Sequence, residues 1–572
     1  MRLMISYLKP FGRRMLVGLI IKILGTVAEL FLPMILAYIL DSVIETGRVE
    51  IVVGYGLLMI LCAAAAAVLN IVANRMAARV SADFSARVRR DLFRRTLYLS
   101  ARATDRFTIP SLESRITSDT YNVHHFVGMM QRMGVRAPIL LVGGMTITLI
   151  IDAYLALVML AILPIIFISV YSVSRRGVPL YTRVQRSVDG MVRVVREDTQ
   201  GARVIKALSK TDYENRRYDA VNRTLSSDER RAGVIMGIIN PVMTLLMNLG
   251  ICAVIAMSAY RMLRDPTSPS NVIAFIQYFT LISMSMLSMS RIFVMFTKCA
   301  ASAKRIEEVI LTPDEFFVRE YGEKCDTGEY ITFKNVSFSY RGRRNNLENI
   351  SFSIKKGESL GVIGATGSGK STLIRLLLRF YDVDEGQITV GGRDIATYSR
   401  EELTALFGVA LQNDFLFADT VAENIRFGRD ISEEDIVRAA KIAEAHTFII
   451  EKEGGYSYRL SQKGTNLSGG QRQRILIARA VAARPDILIL DDSSSALDYK
   501  TDLALRTSVA ESLGDTTLIT VAQRVSSVKG CTRILVLDEG RVIGYGTHEY
   551  LLENCAEYRE ISDSQMGGAL ID

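Results

Sequence analysis

Apolar runs dominate residues 15–300, and from Ile331 onward the pattern changes to short strands and amphipathic stretches like those of a soluble domain. A helix that crosses a bilayer needs about 20 mostly apolar residues. Six stretches meet that requirement, near 15–40, 51–74, 127–151, 153–175, 233–262 and 271–297. Turns on the outer side then fall near 41–50, at Asp152-Ala153 and near 263–270. The turn at Asp152 is so short that the third and fourth spans must form an antiparallel hairpin. The stretches joining spans two to three and four to five are long, rich in Arg and poor in Pro and Gly. They read as spans continued far beyond the membrane, not as loops.

Composition agrees with a membrane chain. The 572 residues are 49% apolar, and the mean hydropathy is +0.22. The net charge of +9 does not point to nucleic acid, because the basic residues cluster beside the apolar spans. Arg2, Lys9, Arg13 and Arg14 precede the first span, and Arg75, Arg79, Arg87, Arg89, Arg90, Arg94 and Arg95 follow the second. This is the positive-inside arrangement of a multi-pass protein whose N-terminus is cytoplasmic. The first apolar run continues to Leu40, past signal-peptide length, so it reads as a retained span. Cys62, Cys252, Cys299, Cys325, Cys531 and Cys555 lack metal-ligand spacing and read as reduced or buried thiols. Glu29, Arg132, Arg136, Asn240, Asn248 and Arg291 lie in or near spans, where a charge is a functional candidate. Arg132 and Arg136 read as part of a cytoplasmic extension. The run Met284, Met286, Met289 and Met295 offers adaptable apolar surface in the last span.

The second half carries chemistry. Ser359–Ile363 is a short apolar strand, residues 364–372 read Gly-Ala-Thr-Gly-Ser-Gly-Lys-Ser-Thr, and Thr372–Leu378 reads as a helix. Strand, glycine-rich loop and helix is the context of a phosphate-binding loop, in which backbone N–H groups wrap phosphates. Gly364, Thr366, Gly367, Ser368, Gly369 and Thr372 shape that loop, Lys370 reaches the β- and γ-phosphates, and Ser371 ligates Mg2+. About a hundred residues later, 467–471 read Leu-Ser-Gly-Gly-Gln.

The two motifs in this order resemble the nucleotide-binding domain of an ABC transporter, and the membrane half resembles the exporter-type (type IV) fold of that family. The resemblance implies an N-terminal all-α membrane domain over 1–310, six transmembrane helices with long cytoplasmic extensions. A linker over 311–330 and an α/β P-loop ATPase domain of the ABC type over 331–572 follow. It implies ATP and Mg2+ as ligands. Tyr340 would stack on adenine, Gln412 would contact Mg2+ or the attacking water, and Asp491 would hold Mg2+. Ser468, Gly469, Gly470 and Gln471 would cap the ATP of a second chain, and Asp498, in Ser495-Ala496-Leu497-Asp498, would communicate between the sites. Residues 104–120 and 196–206 resemble the coupling regions that touch the ATPase domains, and 300–306 resembles the join between halves.

Two positions depart from the family pattern. Asp492 stands where the family has a catalytic Glu, and Gln523 stands where it has a switch His. Aspartate is one methylene shorter, and a general base must come within about 2.6–3.2 Å of its proton. A glutamine amide offers neither the charge nor the proton chemistry of imidazole. Ser461-Gln462-Lys463-Gly464 also departs, where the family often has a Gly-Glu pair. The combination resembles the degenerate-site subunit of bacterial heterodimeric multidrug exporters. It implies a site that binds Mg-ATP and hydrolyses it slowly, paired with a second half-transporter carrying the working Glu and His. The implied partners are that chain, the lipid bilayer and a small hydrophobic or amphipathic substrate, with no nucleic acid. The implied setting is a bacterial cytoplasmic membrane, with the ATPase domain cytoplasmic. Alternatives on the same fold are import of a metal chelate and a non-pumping ATP-gated channel or regulator.

Overall fold

The computed structural model describes residues 2–262, 269–313, 316–319, 328–340, 342, 345–412, 414–493 and 496–566. Most of the expected turn at 263–270, much of the linker at 311–330, Cys325 and Ser495 lie outside them. The chain divides into two compact units. One comprises Met1–Leu97 and Ile109–Thr312, the other Tyr98–Thr108 and Pro313–Asp572.

Among the described residues, the first unit is helical and holds six helices long and apolar enough to cross a membrane. They run Arg2–Thr46, Val49–Leu97, Ile109–Ile151, Ala153–Ala207, Thr211–Tyr260 and Val272–Ile310. The first four contain the expected spans, and the last two overlap theirs, 233–262 and 271–297, to within two residues at one end. The helix Ala153–Ala207 has 55 residues, which at 1.5 Å per residue is about 80 Å, far more than the ~30 Å hydrocarbon core. Its start is fixed locally: Asp152 is extended and its carboxylate accepts from the backbone N–H groups of Tyr154 and Leu155. That cap stops the preceding helix and starts the next within one residue.

Polar contacts pin the helices of this unit. Tyr278 donates to the carbonyl of Leu30 at 2.6 Å, tying the sixth helix to the first. Asp119 is fully buried and accepts from Ser302 at 2.8 Å and from Arg305 Nε at 2.7 Å. Arg115 reaches Glu308 at 3.1 Å one turn away. Between the first two helices, Lys22 donates to Asn70 at 2.7 Å and Asn74 at 3.1 Å. Arg136, read from sequence as part of a cytoplasmic extension, pairs with Glu29 of the first helix, Nε to Oε2 at 3.2 Å.

The second unit is α/β, with two sheets. The strands are β1 (Ile331–Phe338), β2 (Leu347–Ile354), β3 (Ser359–Ile363), β4 (Glu385–Val390) and β5 (Arg393–Asp394), followed by β6 (Phe407–Ala410), β7 (Ile487–Asp491), β8 (Thr517–Val521), β9 (Arg533–Asp538) and β10 (Arg541–Gly546). An antiparallel sheet has the order β2-β1-β4-β5, and a larger one the order β10-β9-β3-β8-β7-β6. In the larger sheet β9, β3, β8, β7 and β6 are parallel. Strands buried on both faces read as unbroken apolar runs, and β7 is buried at every position. One core lies between the two sheets, around Phe333, Ile350, Leu360, Leu376 and Ile489. Another packs Ile475, Leu476 and Val481 of the helix Gly469–Val481 against Leu488 and Leu490.

Candidate nucleotide site

In open parallel sheets, ligands bind beyond the carboxyl ends of the strands. Four neighbouring strands place the sequence-predicted residues at that edge. The loop 364–369 leaves β3 and enters the helix Lys370–Leu377, Gln523 lies just beyond β8, Asp491 and Asp492 end β7, and Gln412 follows β6.

The loop's shape requires its glycines. A Cβ at Gly364 would lie 2.1 Å from the carbonyl oxygen of Leu537, and Gly369, at φ +104°, would push one 2.6 Å from the Leu347 side chain. Two polar groups of the loop lack outside partners suited to them. The Ser368 hydroxyl is buried without a hydrogen bond. The Lys370 ammonium donates to the loop's own carbonyls, Gly364 at 2.7 Å and Ala365 at 2.8 Å. Burial pushes the Lys370 pKa down, against the pull of Asp491 and Asp492. A cradle of N–H groups, an orphaned hydroxyl and a half-desolvated cation fits phosphate.

Beside the loop, Asp491 is 5% exposed. Its pKa is raised, first by desolvation and then by Asp492, against Lys370, Arg375 and a hydrogen bond from Ser371. Among the described residues no three His, Cys, Asp or Glu side chains gather into a metal site. One carboxylate and one hydroxyl at the mouth of a phosphate cradle suit Mg2+, which commonly takes one or two protein oxygens together with substrate phosphates.

Asp492 stands at φ +49°, with its N–H on the carbonyl of Val521 at 2.9 Å. Its Oδ2 accepts from Gln412 Nε2 at 2.9 Å and from Gln523 Nε2 at 3.3 Å. Three positions singled out separately in the sequence therefore meet at one carboxylate oxygen. Tyr340 packs edge-on against Phe338 and Tyr381, with centroids 4.9 and 5.1 Å away. Its hydroxyl donates to Thr372 at 3.3 Å and accepts from Arg375 at 3.1 Å.

The segment Leu467–Gln471 lies elsewhere in the unit. Ser468 caps the helix Gly469–Val481 in a reciprocal capping box with Gln471, and Ser468 and Gly469 are exposed. The hydrogen bonds of Ser468 and Gln471 stay within that cap and helix and do not reach residues 364–372. Asp498 caps the next helix, accepting from the Thr501 N–H and hydroxyl at 2.9 and 2.8 Å, bonds that hold its pKa down. In the departing stretch 461–464, Lys463 takes a left-handed φ of +62°.

Sequence reading missed three residues of this unit. Arg375 follows the loop on its helix, and its basic charge near phosphates was the available signal. Tyr381 and Asp105 had no local signal. The Tyr381 hydroxyl donates to Asp105 at 2.5 Å, on the short helix Ala101–Phe107 that Ser100 caps. That helix clusters with this unit, while the rest of the expected coupling stretch 104–120, from Ile109 on, belongs to the helical unit.

Together the fold and site define an ATP-binding transport unit. Residues 15–286 match the family described as "ABC transporter transmembrane region", and residues 347–495 match the one described as "ABC transporter". Over 99% of the chain, an uncharacterised ABC transporter ATP-binding protein of Mycobacterium tuberculosis is 32% identical, with 98% of that protein covered. YfiB of Bacillus subtilis, also described as an uncharacterised ABC transporter ATP-binding protein, is 34% identical over 98% of each chain. A bacterial Atm1-family ABC exporter solved with ATP bound superposes with a TM-score of 0.80 at 25% identity, covering 96% of this chain and 98% of that one. The chain belongs to the ABC transporter family and has the exporter fold, six apolar helices followed by a nucleotide-binding domain.

The raised pKa of Asp491 makes a prediction. A carboxyl whose folded pKa lies above its unfolded one favours the fold at low pH, and that contribution is lost as pH rises through the folded pKa. At neutral pH the ionised Asp491 is therefore a buried liability in the nucleotide-free protein. Asp491→Asn is expected to raise its melting temperature at neutral pH by removing that buried charge. The gain should shrink as pH falls and the native carboxyl becomes neutral. Melting curves with and without Mg-ATP check this. An unchanged or lower melting temperature at neutral pH contradicts it.

Proposed function

We propose that this chain is one half of a dimeric ATP-driven exporter of hydrophobic or amphipathic compounds, and that its own ATP site is degenerate. The observation that carries this reading is the pair Asp492 and Gln523, at the positions of the catalytic Glu and switch His, with both Gln412 and Gln523 bonded to the Asp492 carboxylate. A carboxylate held by two amides on a shortened arm is a poor general base.

In this reading the loop 364–372 holds the phosphates of ATP, with Lys370 turning from its own carbonyls toward the β- and γ-phosphates. Ser371, Asp491 and Gln412 hold Mg2+, whose chemistry is to neutralise charge on the phosphate oxygens. Tyr340 takes the adenine. Ser468, Gly469, Gly470 and Gln471, the first two of them exposed, serve the ATP of the other chain, and Asp498 links the two sites. Binding without prompt hydrolysis makes this site regulatory, and the partner's Glu and His drive turnover. The chain sits in a bacterial cytoplasmic membrane with residues 331–572 in the cytoplasm.

The test is the composition of the transporter purified from its native host in mild detergent. Intact mass is expected to show a second half-transporter in equal amount, with Glu and His at the two altered positions. A homodimer overturns the heterodimer reading.

A further inference from the structure

The six spans contain a charge imbalance that the ATPase chemistry does not use. Within residues 15–40, 51–74, 127–151, 153–175, 233–262 and 271–297, Glu29 is the sole carboxylate, against Lys22, Arg132, Arg136 and Arg291 away from the span ends. A charge at membrane depth costs about 2.5–3.5 kcal/mol on insertion scales, and it marks a functional site by default.

The helical unit gathers three of these cations. Arg136 is paired with Glu29. Lys22, 4% exposed, is held by two neutral amides, Asn70 and Asn74, so its charge stays uncancelled. Arg132, one turn from Arg136 on the same helix face, spends its Nε on its own helix, at the Gly128 carbonyl, 3.0 Å away. Two positive charges thus remain beside the single carboxylate. The antiparallel third and sixth helices are registered by Asp119 on Ser302 and by Phe126 on Phe296, 5.7 Å between rings. That register brings the exposed Arg291 to the level of Arg132. Counting 1.5 Å per residue from Ile151, Arg136 lies about 22 Å and Arg132 about 28 Å along the helix, toward the far boundary of a ~30 Å core. Exposed apolar side chains, Met130, Met133 and Phe296, flank the arginines.

We infer that the compound this transporter moves is an amphipathic anion, its acidic group received by Arg132, Arg136 and Arg291 and its apolar part by the neighbouring Met and Phe surface. The inference rests on the export reading and narrows its substrate class. Guanidinium groups pair with carboxylate or phosphate bidentately. Arg132 is the recruiting group, because its charge has no carboxylate partner among the described residues. Arg136 exchanges part of its contact with Glu29, and Lys22 stays buried and keeps the local potential positive.

The test uses the purified transporter, with whatever partner copurifies, in phosphatidylcholine nanodiscs. ATPase stimulation and photocrosslinking are titrated with dodecanoate, dodecanol and dodecyltrimethylammonium. Dodecanoate is expected to act at concentrations at least about tenfold lower than the others, one bidentate charged contact being worth that much. Arg132→Gln is expected to erase the difference while leaving the response to dodecanol in place. Arg291→Gln is the second variant, should the first fail to assemble. Equal potency of the three probes, or a preference that survives both variants, overturns the inference while leaving export standing. A response to none of them in either readout overturns export and the inference together. A dodecanoate preference that vanishes when phosphatidylglycerol replaces part of the lipid means that a bilayer headgroup occupies the site, and it also overturns the inference.

Discussion

Changing Asp492→Glu and Gln523→His together is expected to raise hydrolysis at this chain's own site by about a hundredfold or more, the low end of what a placed general base supplies. The reason is geometric. The Asp492 carboxylate is held by Gln412 and Gln523 at 2.9 and 3.3 Å, so lengthening the arm alone leaves the new carboxylate beside the same amide at 523. Replacing Gln523 alone gives imidazole a carboxylate too short to hold the water. Each single change should therefore recover much less than the pair, the non-additivity expected of groups that touch. The measurement is ATP turnover in the assembled transporter with the partner's own site silenced. No gain from the double variant would remove the proposed lesion.

The second large effect separates the two jobs proposed for this chain. Lys370→Ala is expected to weaken nucleotide binding to this chain by about 10- to 100-fold, the worth of one or two hydrogen bonds to charged oxygens. Gly469→Asp is expected to leave that affinity unchanged and to abolish most turnover by the assembled pair. A Cβ at Gly469 meets only the Ala496 Cβ, at 3.8 Å, so the fold tolerates it. The new carboxylate sits at an exposed helix N-terminus where another chain's phosphates are proposed to bind, and like charges there repel. A fluorescent ATP analogue reads affinity on this chain, and released phosphate reads turnover. If Gly469→Asp weakens this chain's own nucleotide affinity, the assignment of residues 468–471 to the partner's site fails.

How far the sequence reached depends on the range of the forces involved. Length and hydropathy are local, so all six apolar helices were legible, as was the strand, loop and helix around Lys370. The meeting of Gln412, Asp492 and Gln523 was implied only once β6, β7 and β8 were known to be neighbours, because parallel pairing joins residues far apart in sequence. The pairing of Arg136 with Glu29 spans 107 positions, and no periodicity signals which cation a lone carboxylate will choose. Tyr381 and Asp105, 276 positions apart, were invisible for the same reason. An apolar window also marks where a helix crosses lipid without marking where it stops. The apolar window marks only residues 153–175 of Ala153–Ala207, and the Arg-rich, Pro- and Gly-poor stretch after it signalled that the helix continues without fixing its end at Ala207.

That helix has a mechanical consequence. A rod about 80 Å long converts a tilt of about 5° at one end into roughly 7 Å of travel at the other, more than one 5.4 Å helical pitch. Pro164 and Pro179 lie inside it, each lacking the N–H that would donate to the previous turn. They are the points where the rod is least stiff, so they set where such a tilt is passed on whole and where it is spent in bending.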